Sequence, residues 1–337
     1  MHKYKIYKYY NINKLMLSKK LKETLKKQSY GIVGKHSLVD VCEWTKNSLR
    51  GRGSCYKEKF YGIKSHRCCE VSPSAFCQNK CVHCWRAIEL SENRKISLKE
   101  CDNPVDLIDG FVKERAKLLM GFNGNPNTEK IKFKEAIDPT HFAISLIGEP
   151  TLYPKLGEMI KELRKRKKTS FIVTNGLQPA MLKKLSKQNA LPTQLYISMN
   201  AGNKELYDKW HRSYEKNAWK KYNQTLTLLS KLKTRKVIRM TIVRDLNMSS
   251  KDVKEFAFLI KKASPDFVEV KSFMSVGYAR QRMGYEKMPS HGEIKEFAST
   301  LAREIGNGYK VLDEHIASRI VLIGKDKRKM KIQKREI

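Results

Sequence analysis

The sequence predicts an α/β fold with a mainly parallel sheet, arranged as a full or partial barrel. Three observations lead to this prediction. From about residue 70, short apolar segments with strand spacing alternate with longer segments of helical apolar spacing. About six such pairs follow one another, as in a barrel. The helical segments are long enough to connect neighbouring strands by right-handed crossovers, which makes the strands parallel.

The elements follow one another in order from that point. Predicted strands occupy residues 70–76, 141–148, 170–176, 193–200, 236–243, 266–273 and 309–315. Predicted helices occupy residues 105–122, 153–167, 178–188, 217–233 and 249–263, each between two strands. In a barrel of this kind the active site lies at the C-terminal ends of the strands, so residues there are the first candidates for chemistry.

Charge and composition limit the class of protein. Lysine and arginine number 69 against 34 aspartate and glutamate, which gives a net charge of +35. An excess this large is typical of a protein that binds a polyanion, and it favours nucleic acid over a membrane surface. No apolar run is long enough for a transmembrane helix, and the N-terminus lacks the apolar stretch of a secretory signal. We therefore expect a cytoplasmic protein.

Three cysteines stand directly after the first predicted strand. Cys77, Cys81 and Cys84, the first trio, are spaced C-x3-C-x2-C. A structural zinc ion needs four ligands, for which His83 or His66 is available as the fourth. A [4Fe–4S] cluster has four irons that each take one protein ligand, so three thiols leave one iron open to a substrate or cofactor. The spacing favours the cluster, and zinc is the alternative.

Three further cysteines precede that strand. Cys42, Cys55 and Cys68, the second trio, are separated from one another by twelve residues. Such gaps are too long for a local zinc knuckle, whereas loops that converge on a second cluster suit them. Two alternatives are that some of these thiols are merely buried and that the adjacent Cys69 replaces Cys68. Cys101 is expected to be a lone thiol without a ligand role.

The segment "CQNKCVHC", residues 77–84, resembles the signature of the radical S-adenosylmethionine (radical SAM) superfamily. The resemblance implies a radical SAM partial (β/α)6 barrel, here with an N-terminal Cys-rich extension. It also implies a [4Fe–4S] cluster on the first trio, with S-adenosyl-L-methionine bound to the open iron. His83 stands where the superfamily often has an aromatic residue, which is a mild departure.

Cofactor contacts implied by this resemblance lie at the ends of predicted strands. The segment "LIGEPTLYP" resembles a Gly-Gly-Glu motif, with Gly148 and Glu149 present and Ile147 in place of the first glycine. A glycine allows close approach of the backbone, and a carbonyl or carboxylate there suits the ammonium group of the cofactor. The other implied contacts, with its methionyl carboxylate and ribose, are Thr174, Asn175, Ser198 and Asn200.

The two trios together, with "CWR" at residues 84–86, resemble the tRNA 4-demethylwyosine synthase family in its stand-alone archaeal form. The resemblance covers roughly residues 36–285. It implies a carbon–carbon lyase that condenses pyruvate with N1-methylguanosine beside the anticodon of phenylalanine tRNA, giving 4-demethylwyosine in wyosine and wybutosine biosynthesis. It further implies a second [4Fe–4S] cluster on the second trio, and an external electron donor such as a flavodoxin or ferredoxin.

A catalytic lysine is implied by the same resemblance. Family members hold pyruvate on a lysine two residues after the middle upstream cysteine, and that position is Lys57, in "CYKEKF". An imine and an ion pair to pyruvate are both compatible with this position. Lys59 is the alternative.

Three domains are expected from this interpretation. They are an N-terminal basic extension with the second cluster motif (1–69), the barrel (70–313) and a basic C-terminal tail (314–337). Transfer RNA phosphates are expected to contact lysines and arginines. The candidates are Arg50, Arg52, Lys64, Arg67, residues 164–168, Arg280 and Arg282. Residues 2–10, which mix tyrosine with lysine, are typical of a surface that stacks on single strands, and a disordered start is the alternative.

Two other functions are compatible with the sequence. One is a different radical SAM enzyme with an auxiliary cluster, which modifies RNA or matures a peptide. The cysteines that peptide-maturing enzymes usually carry after the barrel are absent from this sequence. The other is a non-catalytic zinc protein that binds RNA. The positive charge favours RNA over a peptide as the partner.

Overall fold

The computed structural model describes residues 16–90 and 92–336. The lysine- and tyrosine-rich segment at residues 2–10 therefore lies outside the described residues. Within those residues, we find no helix that is both long enough and apolar enough to cross a membrane.

A single sheet of ten strands organises the described residues. The strands are β1 (Gly31–Val33), β2 (Ser37–Asp40), β3 (Cys68–Ser72), β4 (His141–Ile144), β5 (Thr169–Thr174), β6 (Gln194–Ser198), β7 (Arg235–Ile242), β8 (Phe267–Ser272), β9 (Lys310–His315) and β10 (Ile320–Gly324). The α-helices are α1 (Lys19–Lys27), α2 (Glu43–Leu49), α3 (Tyr56–Tyr61), α4 (Pro104–Asn123), α5 (Lys130–Ile137), α6 (Leu156–Lys165), α7 (Pro179–Lys187), α8 (Lys204–His211), α9 (Ala218–Leu229), α10 (Ser250–Ala263) and α11 (His291–Ile305).

The centre of the sheet confirms the predicted α/β architecture. Strands β3 to β8 pair in parallel and in chain order, and helices lie between consecutive strands. All five predicted helices are present, as α4, α6, α7, α9 and α10. The sheet ends at β1 on one side and β9 on the other, and these two strands are not paired with each other in the described residues. The arrangement is that of an open, partial barrel.

Antiparallel strands extend the sheet at both ends, which the sequence analysis did not anticipate. At one end the β1–β2 hairpin pairs with β3, and at the other β10 pairs with both β8 and β9. The predicted division at residues 69 and 70 falls inside β3, and the one at 313 and 314 falls inside β9. Residues 314–337 are therefore not a tail throughout, because the apolar run Ile320–Gly324 is a fully buried strand.

Helix starts follow local capping chemistry. Ser249 and Ser290 each form a capping box, in which the serine side chain accepts from the backbone of a residue in the first turn and that residue's carboxylate accepts in return. Asn103 caps α4, whose first residue is Pro104, a position where the missing N–H has no intrahelical partner to lose. The helices α2, α3, α5, α8 and α11 were not predicted.

The two faces of the sheet pack differently. The outer face packs against the helices and forms the main apolar core. On the inner face, Phe171 of β5, Tyr196 of β6 and Phe267 of β8 belong to one apolar cluster with Tyr56, Phe60 and Tyr61 of α3. Helix α3 therefore packs against the inner surface of the partial barrel, and the Cys55–Lys57 segment at its start lies beside the interior.

Candidate active site

One cavity of about 420 Å³ lies on the inner face, toward the C-terminal ends of the parallel strands. Every residue predicted for catalysis, cofactor binding or metal ligation lines it, including both cysteine trios, Lys57 and the strand-end polar residues. The topology explains this convergence, because the C-terminal ends of parallel strands meet at one edge of a sheet. The cavity thus unites residues that are far apart in the chain.

The first trio lies on the loop after β3. The Cys84 N–H donates to the carbonyl of Cys81 at 3.0 Å, and the Asn79 N–H donates to the Cys77 Sγ at 3.4 Å, so the loop is folded back on itself. Burial raises the pKa of Cys77 to about 12, with further contributions from the Glu149 carboxylate and the Cys84 thiol. The pKa of Cys81 is raised by burial and by both other thiols. The three thiols therefore interact with one another inside the protein.

The second trio is assembled from three different elements. Cys42 is the N-cap residue of α2, Cys55 is the N-cap residue of α3, and Cys68 is the first residue of β3. Burial raises the pKa of Cys68 well above its usual value, and Cys42 and Cys55 raise it further. The three thiols line the same cavity, and their role as ligands of a second cluster stays a prediction.

The two remaining cysteines lie elsewhere. Cys69 is completely buried in the main core on the outer face, because neighbouring residues of a strand point to opposite faces. It is therefore not placed to substitute for Cys68 at the cavity. Cys101 is buried outside the cavity, where its thiol donates to the carbonyl of Leu98 at 3.3 Å.

The donor set fits an iron–sulfur cluster better than a single ion. Among the described residues, no three Cys, His, Asp or Glu side chains lie close enough together to share one metal ion. Cluster ligands bind separate irons and so lie farther apart than the ligands of one zinc ion. Beside the first trio, both amide atoms of Asn79 and the Nδ1 atom of His83 are buried without a hydrogen-bond partner in the described structure. Such atoms suit a polar group bound next to the thiols.

Glu149 links two segments at the strand ends. Its Oε1 accepts from the Thr151 N–H at 3.1 Å, the Thr151 hydroxyl at 2.5 Å and the Thr174 hydroxyl at 2.6 Å, while its Oε2 accepts from the Asn175 N–H at 2.8 Å. Burial raises the pKa of this carboxyl, and the hydrogen bonds that it accepts oppose that rise. The carboxylate therefore fixes the end of β5 against the loop after β4.

Asn175 and Asn200 connect these strand ends to the first trio. The Asn175 side-chain NH₂ lies 3.9 Å from the Cys77 Sγ and donates to Gln78 Oε1 at 3.3 Å. The Asn200 side-chain oxygen accepts from the Thr241 N–H at 3.0 Å, and its nitrogen lies 3.3 Å from the Nε2 of His83. Ser198 also lines the cavity. The cofactor candidates therefore form a continuous polar wall beside the cysteine loop.

Gly148 shows why a glycine is needed in this wall. Its φ of +72° is left-handed, and an added Cβ would lie 2.3 Å from the carbonyl oxygen of Ser74 and 2.8 Å from that of Phe76. The loop after β4 can pack against the loop that leads to the first trio only without a side chain here.

Lys57 and Lys59 point to different places. Lys57 is 8% exposed, and its Nζ lies 5.8 Å from the ring centre of Phe171 and 5.6 Å from that of Tyr196. It lines the cavity and acts electrostatically on all three thiols of the second trio. Lys59 instead forms an ion pair with Asp313 at 2.9 Å and does not line the cavity. The geometry thus favours Lys57 over Lys59 as the candidate catalytic lysine.

Several basic residues proposed to contact phosphate are engaged in the protein itself. The Arg282 Nε donates to the carbonyl of Val82 at 3.0 Å, and its guanidinium also contacts the carbonyl of Cys84 and the carboxylate of Glu89. Lys64 and Arg67 pair with acidic neighbours, at 2.9 and 3.2 Å. Residues 164–168 comprise the last two residues of α6 and the connection to β5, at the end of the sheet opposite the cavity.

Four charged residues on the inner face were not predicted. Glu70, Arg239 and Lys271 line the cavity, and Glu269 is completely buried next to them. A sequence pattern that could have identified the charged residues of β7 and β8 was present. The segments "KVIRMTIV" and "DFVEVKSF" carry charged residues within otherwise apolar strands, at alternate positions that point to one face.

Comparison with known proteins supports the architecture. The sequence profile of the Radical SAM superfamily matches residues 71–257, and that of wyosine base formation matches residues 262–325. The chain is 44% identical to the S-adenosyl-L-methionine-dependent tRNA 4-demethylwyosine synthase of Pyrococcus horikoshii, over 92% of this chain and 90% of that protein. The chain belongs to the tRNA 4-demethylwyosine synthase family. Both the predicted family and the predicted radical SAM fold are confirmed.

Two further members of the family are similar to this chain over nearly its whole length. The tRNA 4-demethylwyosine synthase of Methanocaldococcus jannaschii is 37% identical, over 94% of this chain and 99% of that protein. A solved structure of TYW1 with a lysine–pyruvate adduct bound is 34% identical, covers 95% of this chain and 99% of that chain, and has a TM-score of 0.81. The family is S-adenosyl-L-methionine-dependent and belongs to a superfamily of iron–sulfur enzymes.

Proposed function

We propose that this protein is a carbon–carbon lyase that converts N1-methylguanosine beside the anticodon of phenylalanine tRNA into 4-demethylwyosine, with pyruvate as the second substrate. One observation carries the proposal. Both cysteine trios and the buried amine of Lys57 line a single cavity in a chain of this family. An enzyme that joins a radical to a lysine-bound keto acid needs these groups within reach of one another.

The first trio holds a [4Fe–4S] cluster in this proposal, and the second trio holds another. The first cluster, with S-adenosyl-L-methionine bound, supplies the one-electron chemistry that removes a hydrogen atom from an unactivated methyl group. Thr174 and Asn175, which Glu149 holds through hydrogen bonds, would contact the methionyl part, and Ser198 and Asn200 would contact the ribose. An external flavodoxin or ferredoxin delivers the electron.

Lys57 holds pyruvate. A lysine amine attacks the keto carbon, and loss of water gives an imine that fixes the substrate in place. The aromatic rings of Phe171 and Tyr196 beside the amine exclude bulk water from this position. The lysine–pyruvate adduct in the solved relative supports this role.

The tRNA enters at the outer rim of the cavity. Its methylated base must leave the anticodon stack to reach a site of this depth. Trp85, directly after the last cysteine of the first trio, is 43% exposed and lines the cavity, so it offers a stacking surface to a base. Arg52 and Arg280 are exposed and stay candidates for phosphate contacts.

The experiment is an anaerobic reaction of reconstituted protein with N1-methylguanosine-containing tRNA, pyruvate, S-adenosyl-L-methionine and reductant. Nucleoside mass spectrometry should show 4-demethylwyosine. Lys57→Ala should abolish the product while cleavage of S-adenosyl-L-methionine continues. Lys59→Ala is the matched control, since it removes the same charge from the same helix outside the cavity.

Each outcome bears on a different part of the proposal. Unchanged nucleosides with the parent protein, despite active cofactor cleavage, would contradict the assigned reaction. Equal product from Lys57→Ala and Lys59→Ala would contradict the role of Lys57. Iron analysis that gives about four irons per chain instead of about eight would contradict the second cluster.

A further inference from the structure

The inner face of β7 and β8 carries two cations next to the cavity, Arg239 and Lys271. They lie on one face of neighbouring strands, because Arg239 pairs in register with Glu269 and Thr241 pairs with Lys271. Both line the cavity. Neither is needed for the steps assigned above.

The Arg239 guanidinium is poorly paired within the described residues. Its Nε lies 4.0 Å from Glu269 Oε2, which is at the limit for an ion pair. The Glu269 carboxylate is engaged elsewhere, because its Oε1 accepts from the Tyr61 hydroxyl at 2.6 Å and its Oε2 from the Tyr56 hydroxyl at 3.1 Å. A guanidinium presents five donors, so most of the donors of Arg239 stay available to a ligand.

Lys271 adds to the positive field at this point. Its Nζ donates to the carbonyl of Ser318 at 3.1 Å, which leaves two of its three donors. Burial, and after it the neighbouring Arg239, lower the pKa of Lys271 to about 8. An anion bound between the two side chains would relieve this mutual repulsion.

The same pair lies within electrostatic range of the residues around Lys57. Glu70 interacts with both Lys57 and Arg239, and Arg239 also interacts with Cys55 and Tyr196. Tyr196 is the residue whose ring lies 5.6 Å from the Lys57 amine. Lys57, Arg239 and Lys271 all line the same cavity of about 420 Å³, so a small molecule attached to Lys57 shares that cavity with the two cations.

We infer that Arg239, assisted by Lys271, binds the carboxylate of the 2-oxo acid whose keto carbon is attacked by Lys57. The inference rests on the proposed function and deepens it, because it names the groups that select a keto acid over a neutral carbonyl compound. A planar guanidinium matches a carboxylate with two parallel hydrogen bonds, which also orients the keto carbon toward the amine. Arg239 and Lys271 are substrate-positioning residues, and the carbonyl chemistry stays with Lys57.

The test is reductive trapping on the holoenzyme without tRNA. Pyruvate and cyanoborohydride are added, and labelling of Lys57 is measured by protein mass as a function of pyruvate concentration. Arg239→Gln should raise the half-saturating pyruvate concentration about tenfold or more, as expected for loss of charge-assisted hydrogen bonds. Arg239→Lys should restore part of the affinity, and Lys271→Met should give a smaller rise.

Two controls separate carboxylate binding from damage to the site. Lys236→Gln removes a charge from the same strand at a position of opposite parity. Acetaldehyde is a carbonyl probe without a carboxylate, and its labelling of Lys57 should be unchanged by Arg239→Gln. A pyruvate half-saturation within about twofold of the parent protein would overturn the inference, and so would an equal loss of acetaldehyde labelling.

Failure of the proposed function gives a different result. If the parent protein forms no adduct at Lys57, the assigned role of that lysine is wrong. The KM for pyruvate in the tRNA reaction, measured for the same variants, then decides about Arg239. A KM that is raised about tenfold with unchanged kcat supports carboxylate binding by Arg239, and an unchanged KM overturns it.

Discussion

The Nε of Arg282 donates a hydrogen bond of 3.0 Å to the backbone carbonyl of Val82, across 200 residues of sequence. Val82 lies between two cysteines of the first trio, and Arg282 belongs to the loop after β8. The same guanidinium contacts the carbonyls of Cys84 and Arg86. The loop after β8, the last parallel strand, thus holds the cysteine loop that follows β3, the first parallel strand.

This contact predicts that Arg282 supports the first cluster. Arg282→Ala removes several charge-assisted hydrogen bonds, so we expect a loss of about 3 kcal/mol in stability and lower iron content. The measurements are iron and sulfide analysis with denaturant unfolding. The neighbouring Arg280→Ala, at an exposed position, is the control. Equal iron content in the two variants would contradict the prediction.

Two glycines should respond to alanine with opposite signs. Gly148→Ala places a Cβ 2.3 Å from a backbone oxygen at a φ of +72°, so we expect it to destabilise the protein by about 2 kcal/mol or more. Gly121 is an exposed residue in α4 with open space around it, so Gly121→Ala should stabilise by about 0.5–1 kcal/mol. Denaturant unfolding measures both, and effects of the same sign would refute the argument.

Glu149→Gln should disturb the end of β5. The amide cannot accept at both ends, so at least one of the four donors around Glu149 would face another donor. We expect a loss of about 2 kcal/mol in stability and weaker binding of S-adenosyl-L-methionine, measured by calorimetry. Glu158→Gln, at an exposed position of α6, is the control. Unchanged cofactor affinity in Glu149→Gln would argue against the assigned wall.

The buried Glu269 makes one of its tyrosine partners a stability determinant. Tyr61→Phe removes the hydroxyl that donates to Oε1 at 2.6 Å and leaves that oxygen unsatisfied inside the protein. We expect a loss of about 2 kcal/mol in the free energy of unfolding. Tyr56→Phe should have a smaller effect, because the hydrogen bond of the Tyr56 hydroxyl to Oε2 is longer, at 3.1 Å. The reverse order would contradict this assignment.

Glu293 should contribute stability that depends on pH. Hydrogen bonds from Arg244 and Ser290 lower the pKa of Glu293 from 4.5 to about 2. A depressed acid pKa stabilises the folded state above the unfolded value, and this contribution is lost as pH falls from about 4.5 through about 2. Because the pair is exposed, we expect Glu293→Gln to lose only about 1 kcal/mol at pH 7, and less at pH 3.

The check for Glu293 is denaturant unfolding of parent and variant at both pH values. Glu296→Gln changes an exposed carboxylate of the same helix and should alter stability little at either pH. A loss from Glu293→Gln that is the same at pH 7 and pH 3 would contradict the pKa argument.

Much of the fold and of the candidate site was predictable because its signals are local. Alternation of strand and helix periodicity identified the six parallel strands, and the cysteine spacings identified both trios. The strand ends at Thr174 and Ser198 followed from topology, since parallel strands end at one edge. The antiparallel strands at the edges of the sheet were harder to predict from the sequence. The segment Ile320–Gly324 is short and apolar, and its place beside β8 depends on pairing with residues about 50 positions earlier.

The sequence by itself determined those features of the site that depend on the spacing of residues along the chain. The thiol spacings, the position of Lys57 after Cys55 and the family are all readable in the printed residues. Only the tertiary structure decided which charges face the cavity. It directed Arg282 to the cysteine loop, Lys59 to Asp313, and Arg239 and Lys271 to the inner face. The physical reason is that a charged side chain is placed by its partners and its burial, and both arise from segments that are distant in sequence.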